Sequence, residues 1–283
     1  MFFTMNEMLY NAQKGCYALG AFEFWSLDSA QAVCEAARIL DMPVILQAGA
    51  LERDFAGGCV NLFKIAEMAV ADAGITAALH FDHGESFDDL KNAAESGFTS
   101  LMIDASGYEF SENVQRTMEV VEYGHKWGLS VEGELGILAG AEGGIDIEKS
   151  MALQTSPEEA FAFVKATGVD ALAVAIGTSH GFYTYKPEIN IKRLIEIRAL
   201  VSTPLVLHGG SGTPDDKVLE SIENGITKVN ICTEFVSAFG RTYIETQNTK
   251  GFKYSVPSLF GPSKHAGYGL AYEKIKLFRN GKK

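Results

Sequence analysis

Cysteine is scarce and scattered: Cys16, Cys34, Cys59 and Cys232 are the only four, and no two form a Cys-x-x-Cys pair. With no secretory signal in view, a disulfide-built secreted scaffold is excluded, and reduced thiols in a cytoplasmic protein are the expectation. No apolar run reaches the roughly 18 to 20 residues that a membrane span needs. Positive charge is also short. Lys+Arg 24 against Asp+Glu 36 gives a formal net charge of −12 over 283 residues, which repels nucleic acid and anionic lipid. An anionic small molecule would need oriented local donors. Gly-x-Gly-x-x-Gly is missing after the first apolar run, and with it the fingerprint of a dinucleotide site.

What is present is 47% hydrophobic and 21% charged, enough for one large α/β domain over residues 1–283. Met1 to Gly15 reads as a short N-terminal helix closing the bottom of a barrel, with Met5, Met8 and Leu9 at helical spacing. Strand-type and helical runs then alternate. The pairs are Cys16 to Phe24 with Ser29 to Leu40, Pro43 to Gln47 with Val60 to Ala73, Thr76 to Phe81 with Phe87 to Ser96, and Thr99 to Ile103 with Ser111 to Trp127. They continue as Ser130 to Leu135 with Pro157 to Ala166, Ala171 to Ile176 with Ile191 to Val201, Pro204 to Leu207 with Pro214 to Asn224, and Thr227 to Ile231 with Glu234 to Thr246. Short, continuously apolar strands each followed by a helix imply parallel strands buried on both faces, and eight units close into a (β/α)8 TIM barrel. A doubly wound open sheet is the alternative, disfavoured by the unit count and the missing glycine fingerprint.

Two stretches break the rhythm. Gly136 to Thr155 is glycine-rich, acidic and longer than an ordinary βα connection, which reads as a mobile lid. The C-terminal extension from Asn248 to Lys283 either wraps the barrel or reaches a partner subunit.

Barrels of this kind gather chemistry at the C-terminal ends of their strands. There stand His83, His180 and His208, each followed by glycine. Three imidazoles from three strands leave an open coordination position, as a catalytic zinc requires. His80 lies three residues before His83, so strand alternation points it to the opposite face, as a core group or one backing a ligand; His125 and His265 read as ordinary structural histidines. Asp82 adjoins a ligand and is placed to donate or accept a proton. Asp104, Glu132 and Glu134 are further carboxylates at strand ends, whose burial requires a cation or a donor; a helix N-cap is the other reading of Asp104. Gly209-Gly210-Ser211-Gly212 after strand seven and Thr233 at the start of the eighth helix offer amides and hydroxyls where barrels commonly hold phosphate. Asn230 ends strand eight.

Together these residues resemble the class II, metal-dependent fructose- and tagatose-bisphosphate aldolases over about Tyr17 to Thr246. The resemblance rests on His80-Phe81-Asp82-His83-Gly84, Val131-Glu132-Gly133-Glu134-Leu135-Gly136 and Ala175-Ile176-Gly177-Thr178-Ser179-His180-Gly181, with Leu207-His208-Gly209-Gly210-Ser211-Gly212 and Lys228-Val229-Asn230-Ile231-Cys232-Thr233-Glu234. It implies reversible cleavage of a ketose 1-phosphate or 1,6-bisphosphate to dihydroxyacetone phosphate and an aldehyde, through a zinc-stabilised enediolate. It further implies one Zn2+ on His83, His180 and His208, with Asp104 and Glu134 at a resting metal position. Asp82 would exchange the proton of the C4 oxygen, and Glu142, in the lid, would be the base at the carbon α to the carbonyl. Asn230 would orient the enediolate, with Gly181, Gly209, Ser211, Asn230 and Thr233 about its phosphate. A homodimer or larger homo-oligomer, and a Na+ or K+ near the phosphate, are implied as well.

Three departures fall on the aldehyde half of the substrate. Glu23 replaces the family's Asn after Gly-Ala-Phe, Gly49 stands for a Ser or Thr, and Val256-Pro257-Ser258 matches an Asp-Pro-Arg motif without its arginine. Thr184, with Lys186 nearby, is closer to the tagatose-type pattern. These departures imply a substrate whose distal end is not a phosphate, such as fructose or tagatose 1-phosphate, or is an anion held differently, such as 6-deoxy-6-sulfofructose 1-phosphate, which would give sulfolactaldehyde. Glu23, Gly49, Ser258 and Lys264 are the distal specificity candidates, Ser263 and His265 being further possible contacts; alternatively Arg53 or Arg241 does the usual arginine's work. A non-catalytic sugar-phosphate-binding regulatory subunit is the competing reading, disfavoured because binding alone needs neither Asp82 nor Glu142. A metal-dependent hydrolase would carry His-x-His after its first strand, and none is present.

Overall fold

The computed structural model describes residues 1–136, 154–181, 187–250 and 255–281. Eight parallel strands close into one barrel in sequence order: β1 (Leu19–Glu23), β2 (Val44–Ala48), β3 (Ala77–Gly84), β4 (Ser100–Ile103), β5 (Ser130–Leu135), β6 (Ala171–Val174), β7 (Leu205–Leu207) and β8 (Ile226–Ile231). Among the described residues the helices are α1 (Met5–Gly15), α2 (Leu27–Leu40), α3 (Ala50–Ala56), α4 (Cys59–Ala73), α5 (Phe87–Ser96), α6 (Phe110–Lys126), α7 (Pro157–Thr167), α8 (Ile191–Leu200), α9 (Asp215–Glu223), α10 (Thr233–Lys250) and α11 (Val256–Phe278). The expected TIM barrel is the fold. None of these helices is long and apolar enough to cross a membrane.

Strand alternation sorts the side chains into two cores. Phe22, Leu46, Leu79, Phe81, Leu172, Leu205 and Leu207 face outward into the large core beneath the helices. Leu19, Ala21, Ile45, Ala78, Ala171, Ala173 and Val206 face inward, where they meet Met5, Met8, Leu9 and Ala12 of α1. Helix α1 therefore plugs the barrel end where the strands begin. Hydroxyl and amide side chains start several of the outer helices: Ser26, Ser86, Ser156 and Asn190 each accept a backbone N–H of the first turn, satisfying a donor with no partner inside the helix.

Two details differ from the sequence expectations, and a third takes up one of the two alternatives given for the tail. β3 runs on through Asp82 and His83 to Gly84 instead of stopping at Phe81, so the chemistry-bearing residues belong to the sheet. Helix α3 was not anticipated; it is short, has no buried side chain and so offers no apolar stripe to detect. The tail forms α11, which packs between α2 and α10 and completes the helical ring. Its Lys274 Nζ lies 3.1 Å from Glu234 of α10, and Ala271, Ile275 and Phe278 are buried. The residues expected to form a lid lie outside the described residues from 137 to 153.

Candidate active site

The inward row of residues changes character along the strands. Above the apolar layer sealed by α1 come Glu23, Gln47, His80, Asp82, Glu132, Glu134, His208, Lys228 and Asn230, all buried. On β3, Ala78, His80 and Asp82 share the inner face. Alternation would turn His83 outward, but its φ of +47° bends the chain back and brings the imidazole over the barrel mouth. The expectation that His80 takes the face opposite to the site is thereby corrected. His80 points into the barrel below it, with Nδ1 2.7 Å from Ser100 Oγ and Nε2 3.4 Å from Asp82 Oδ1.

His83, His180 and His208 converge, with ring nitrogens within 4.8 Å of one another. His83 Nδ1 is 2.9 Å from Asp104 Oδ2, and His208 Nε2 is 2.9 Å from Glu132 Oε1. A carboxylate only accepts, so those nitrogens carry the protons. Burial works against a charge on His83, but Asp82, Asp104 and Glu134 hold it well above the usual imidazole range, so His83 Nε2 also carries a proton, which it donates to His208 Nδ1 at 3.0 Å. A divalent cation among the three rings would replace that proton and take both nitrogens as ligands. Burial pushes His208 down to about 4, which keeps the neutral, ligand-competent form at neutral pH. The donor set thus fits a divalent metal with nitrogen ligands. His83, Asp104 and Glu134 form a second group with ligand atoms within 4.8 Å. Glu134 Oε2 is buried without a hydrogen-bond partner, and burial, then the Asp104 carboxylate, push its carboxyl well above the usual range. Asp104 is not a helix cap; its other oxygen accepts from the N–H and hydroxyl of Ser106.

Below the histidines, Glu132 Oε2 accepts from Lys228 Nζ at 2.9 Å, both side chains being fully buried. Burial works against its charge, but Lys228, His208 and His80 together outweigh that and hold Glu132 at about 2, so it stays an anion that fixes the His208 tautomer. Asp82 Oδ2 accepts from Gln47 Nε2 at 2.8 Å and from Asn230 Nδ2 at 3.2 Å. Burial works against its charge, but His83, His80 and Lys228 hold it well below the usual carboxylate range. A buried carboxylate ionised in this way accepts a proton at neutral pH only from a substrate group whose bond is breaking.

The turns after β6 and β7 bring backbone to the same cleft, which Gly181, Gly209, Ser211, Asn230, Cys232 and Thr233 line together with the three histidines, Glu23, Gln47 and Asp82. Gly209 has φ +66°, and a Cβ there would lie 2.4 Å from Ser179 O; only glycine lets the two turns touch. Ser211 Oγ accepts the N–H of Glu234 at 3.2 Å, which ties the β7 turn to the first turn of α10 and leaves the hydroxyl proton for a ligand.

Of the remaining candidates, Gly49 is the backbone cap of α3 beside Glu23. Ser258 and Lys264 lie on α11, where Ser258 bonds Ser255 and Lys264 bonds Gln31 and pairs with Asp28; neither lines the cleft. Arg53 is engaged by Asp54 and Asp89, and Arg241 is exposed on α10. Glu142, Thr184 and Lys186 lie outside the described residues. Sequence reasoning missed Gln47 and Lys228. Each falls two residues from an inward-facing neighbour, Ile45 and Asn230, a signal that becomes readable only once the register of the strand is known.

A parallel eight-stranded barrel that brings three imidazoles and several carboxylates together at its mouth has the architecture of a barrel enzyme with residues that could hold a metal ion. The family model for class II fructose-bisphosphate aldolase matches residues 3–283, and the chain belongs to that family; it is an aldolase, a lyase. It is similar to the YdjI aldolase from Escherichia coli K12, with 33% identity over 100% of this chain and 99% of that one and a TM-score of 0.86. The fructose-bisphosphate aldolase of Campylobacter jejuni shares the fold, with 21% identity over 99% of this chain and 96% of that one and a TM-score of 0.85.

Proposed function

We propose that this aldolase holds zinc on His83, His180 and His208 and reversibly cleaves a ketose 1-phosphate into dihydroxyacetone phosphate and an aldehyde. The observation that carries the reading is the convergence of three imidazoles, their ligand atoms within 4.8 Å of one another, beside an Asp82 held ionised in a buried pocket. When bound, the ion draws electron density from the substrate's carbonyl and hydroxyl oxygens and makes the adjacent carbon acidic. Asp82 takes the proton of the C4 hydroxyl as the C3–C4 bond breaks, and the bond's electron pair stays with the dihydroxyacetone phosphate half. Asn230 holds Asp82 through Nδ2, while its buried Oδ1, without a partner, accepts from a substrate hydroxyl. The N–H groups of Gly181 and Gly209 and the hydroxyls of Ser211 and Thr233 receive the 1-phosphate, which answers the net negative charge with local donors. Glu142 returns a proton to C3, a role resting on the family relation. Asp104 and Glu134 serve as a resting position for the ion. A homo-oligomer and a monovalent cation near the phosphate belong to the same proposal and rest on that relation alone.

The test is exchange of the C3 hydrogens of dihydroxyacetone phosphate with deuterated water, followed by NMR. Zinc-loaded protein exchanges one of the two hydrogens, a chelator stops it and zinc restores it. Exchange that is absent, or indifferent to the chelator, contradicts the proposal.

A further inference from the structure

Glu23, Gln47 and Asp82 come from the consecutive strands β1, β2 and β3, whereas the phosphate-type turns follow β6 and β7 on the other side of the ring. One amide nitrogen, Gln47 Nε2, donates both to Asp82 Oδ2 at 2.8 Å and to Glu23 Oε2 at 3.2 Å. Glu23 therefore stands one group beyond the carboxylate that handles the C4 oxygen, beside the aldehyde half of the substrate. The N–H of Gly49 donates to Glu23 Oε1 at 3.3 Å and to Glu52 Oε2 at 3.1 Å. We infer that Glu23, braced by Glu52 and joined to Asp82 through Gln47, determines specificity by admitting an aldehyde half that ends in uncharged hydroxyls and turning away one that ends in phosphate or sulfonate.

Two independent features carry this, given the aldolase reading on which it rests. The first is charge. Among the described residues lining the cleft there is no lysine or arginine, Arg53 is engaged by Asp54 and Asp89, and the Gly49 amide already serves two carboxyls. The second is hydrogen-bond polarity. Gln47 is 1% exposed, lines the cleft, and its Oε1 is buried without a partner, so that corner lacks a donor. A hydroxyl supplies one; an ionised phosphate or sulfonate offers only acceptors.

The experiment compares kcat/KM for a ketohexose 1-phosphate and its 1,6-bisphosphate, fructose or tagatose according to which the zinc-loaded protein cleaves faster. The wild type favours the monophosphate by about tenfold or more, and Glu23→Asn and Glu23→Gln shift the ratio toward the bisphosphate by about tenfold, mostly through a lower bisphosphate KM. Urea unfolding confirms that the variants fold; Glu52→Gln, on exposed α3, moves the ratio the same way should the Glu23 variants not fold. A wild type indifferent to the distal phosphate, or folded variants with an unmoved ratio, overturns the inference. Deuterium exchange by the wild type separates the two levels: with exchange present and the ratio flat, only the specificity assignment fails.

Discussion

Lys228 is fully buried among acids, 2.9 Å from Glu132 and 4.0 Å from Asp82, and the electrostatics of the site turn on it. Removing one member of a buried ion pair strands the other, which costs about 3–5 kcal/mol. Lys228→Met is expected to lose that much in urea unfolding, with weakened zinc retention because Glu132 no longer holds His208. Asp82→Asn should keep its zinc and lose about 10²–10⁴-fold in cleavage kcat, the range for a general acid–base group; metal analysis beside a cleavage assay checks both halves. Glu23 gives a pH signature. Its folded-state pKa is raised, so its favourable contribution is complete below the unfolded value near 4.5 and is lost as pH rises through the folded value. Glu23→Gln, neutral throughout, should therefore gain stability relative to wild type between pH 5 and alkaline pH; an equal difference at both ends contradicts the assignment. The three histidines were legible because each follows an apolar strand run and precedes a glycine. Lys228 and Gln47 were not, since a polar residue within a strand reads equally as solvent-facing until its register is known, and the left-handed backbone of His83 defeats the alternation rule that misplaced His80.

The elements divide by how much apolar pattern they carry. All eight strands and their main helices announce themselves, because a strand buried on both faces needs continuous apolar residues and a helix on its outside needs one stripe. The extended end of β3 and the exposed α3 do not, for their sequences are shaped by the site and by solvent. Helix α11 was left open because Pro262 and its glycines mask a 23-residue helix; what holds it is burial against α2 and α10. The turns after β6 and β7 make a sharper prediction. At Gly209 an added Cβ meets Ser179 O and the φ is left-handed, so Gly209→Ala should separate the two turns and raise KM for dihydroxyacetone phosphate in the condensation direction by about tenfold or more, the loss of roughly one charge-assisted hydrogen bond. An unchanged KM would remove Gly209 from the phosphate site.

Across the described residues, α1 seals one end of the barrel with apolar side chains and the other end gathers carboxylates, imidazoles and the buried Lys228. Stability and chemistry are thereby kept at opposite ends of the same strands, as the barrel fold permits. The central claim is that the mouth performs metal-dependent aldol cleavage. It is tested most directly by measuring dihydroxyacetone phosphate released by the zinc-loaded protein from ketose 1-phosphates, 1,6-bisphosphates and 6-deoxy-6-sulfofructose 1-phosphate, with and without chelator. The expected result is release that the chelator abolishes and zinc restores, fastest from a 1-phosphate with an uncharged end. Release that survives complete removal of the metal, or none from any of these sugars, would contradict it.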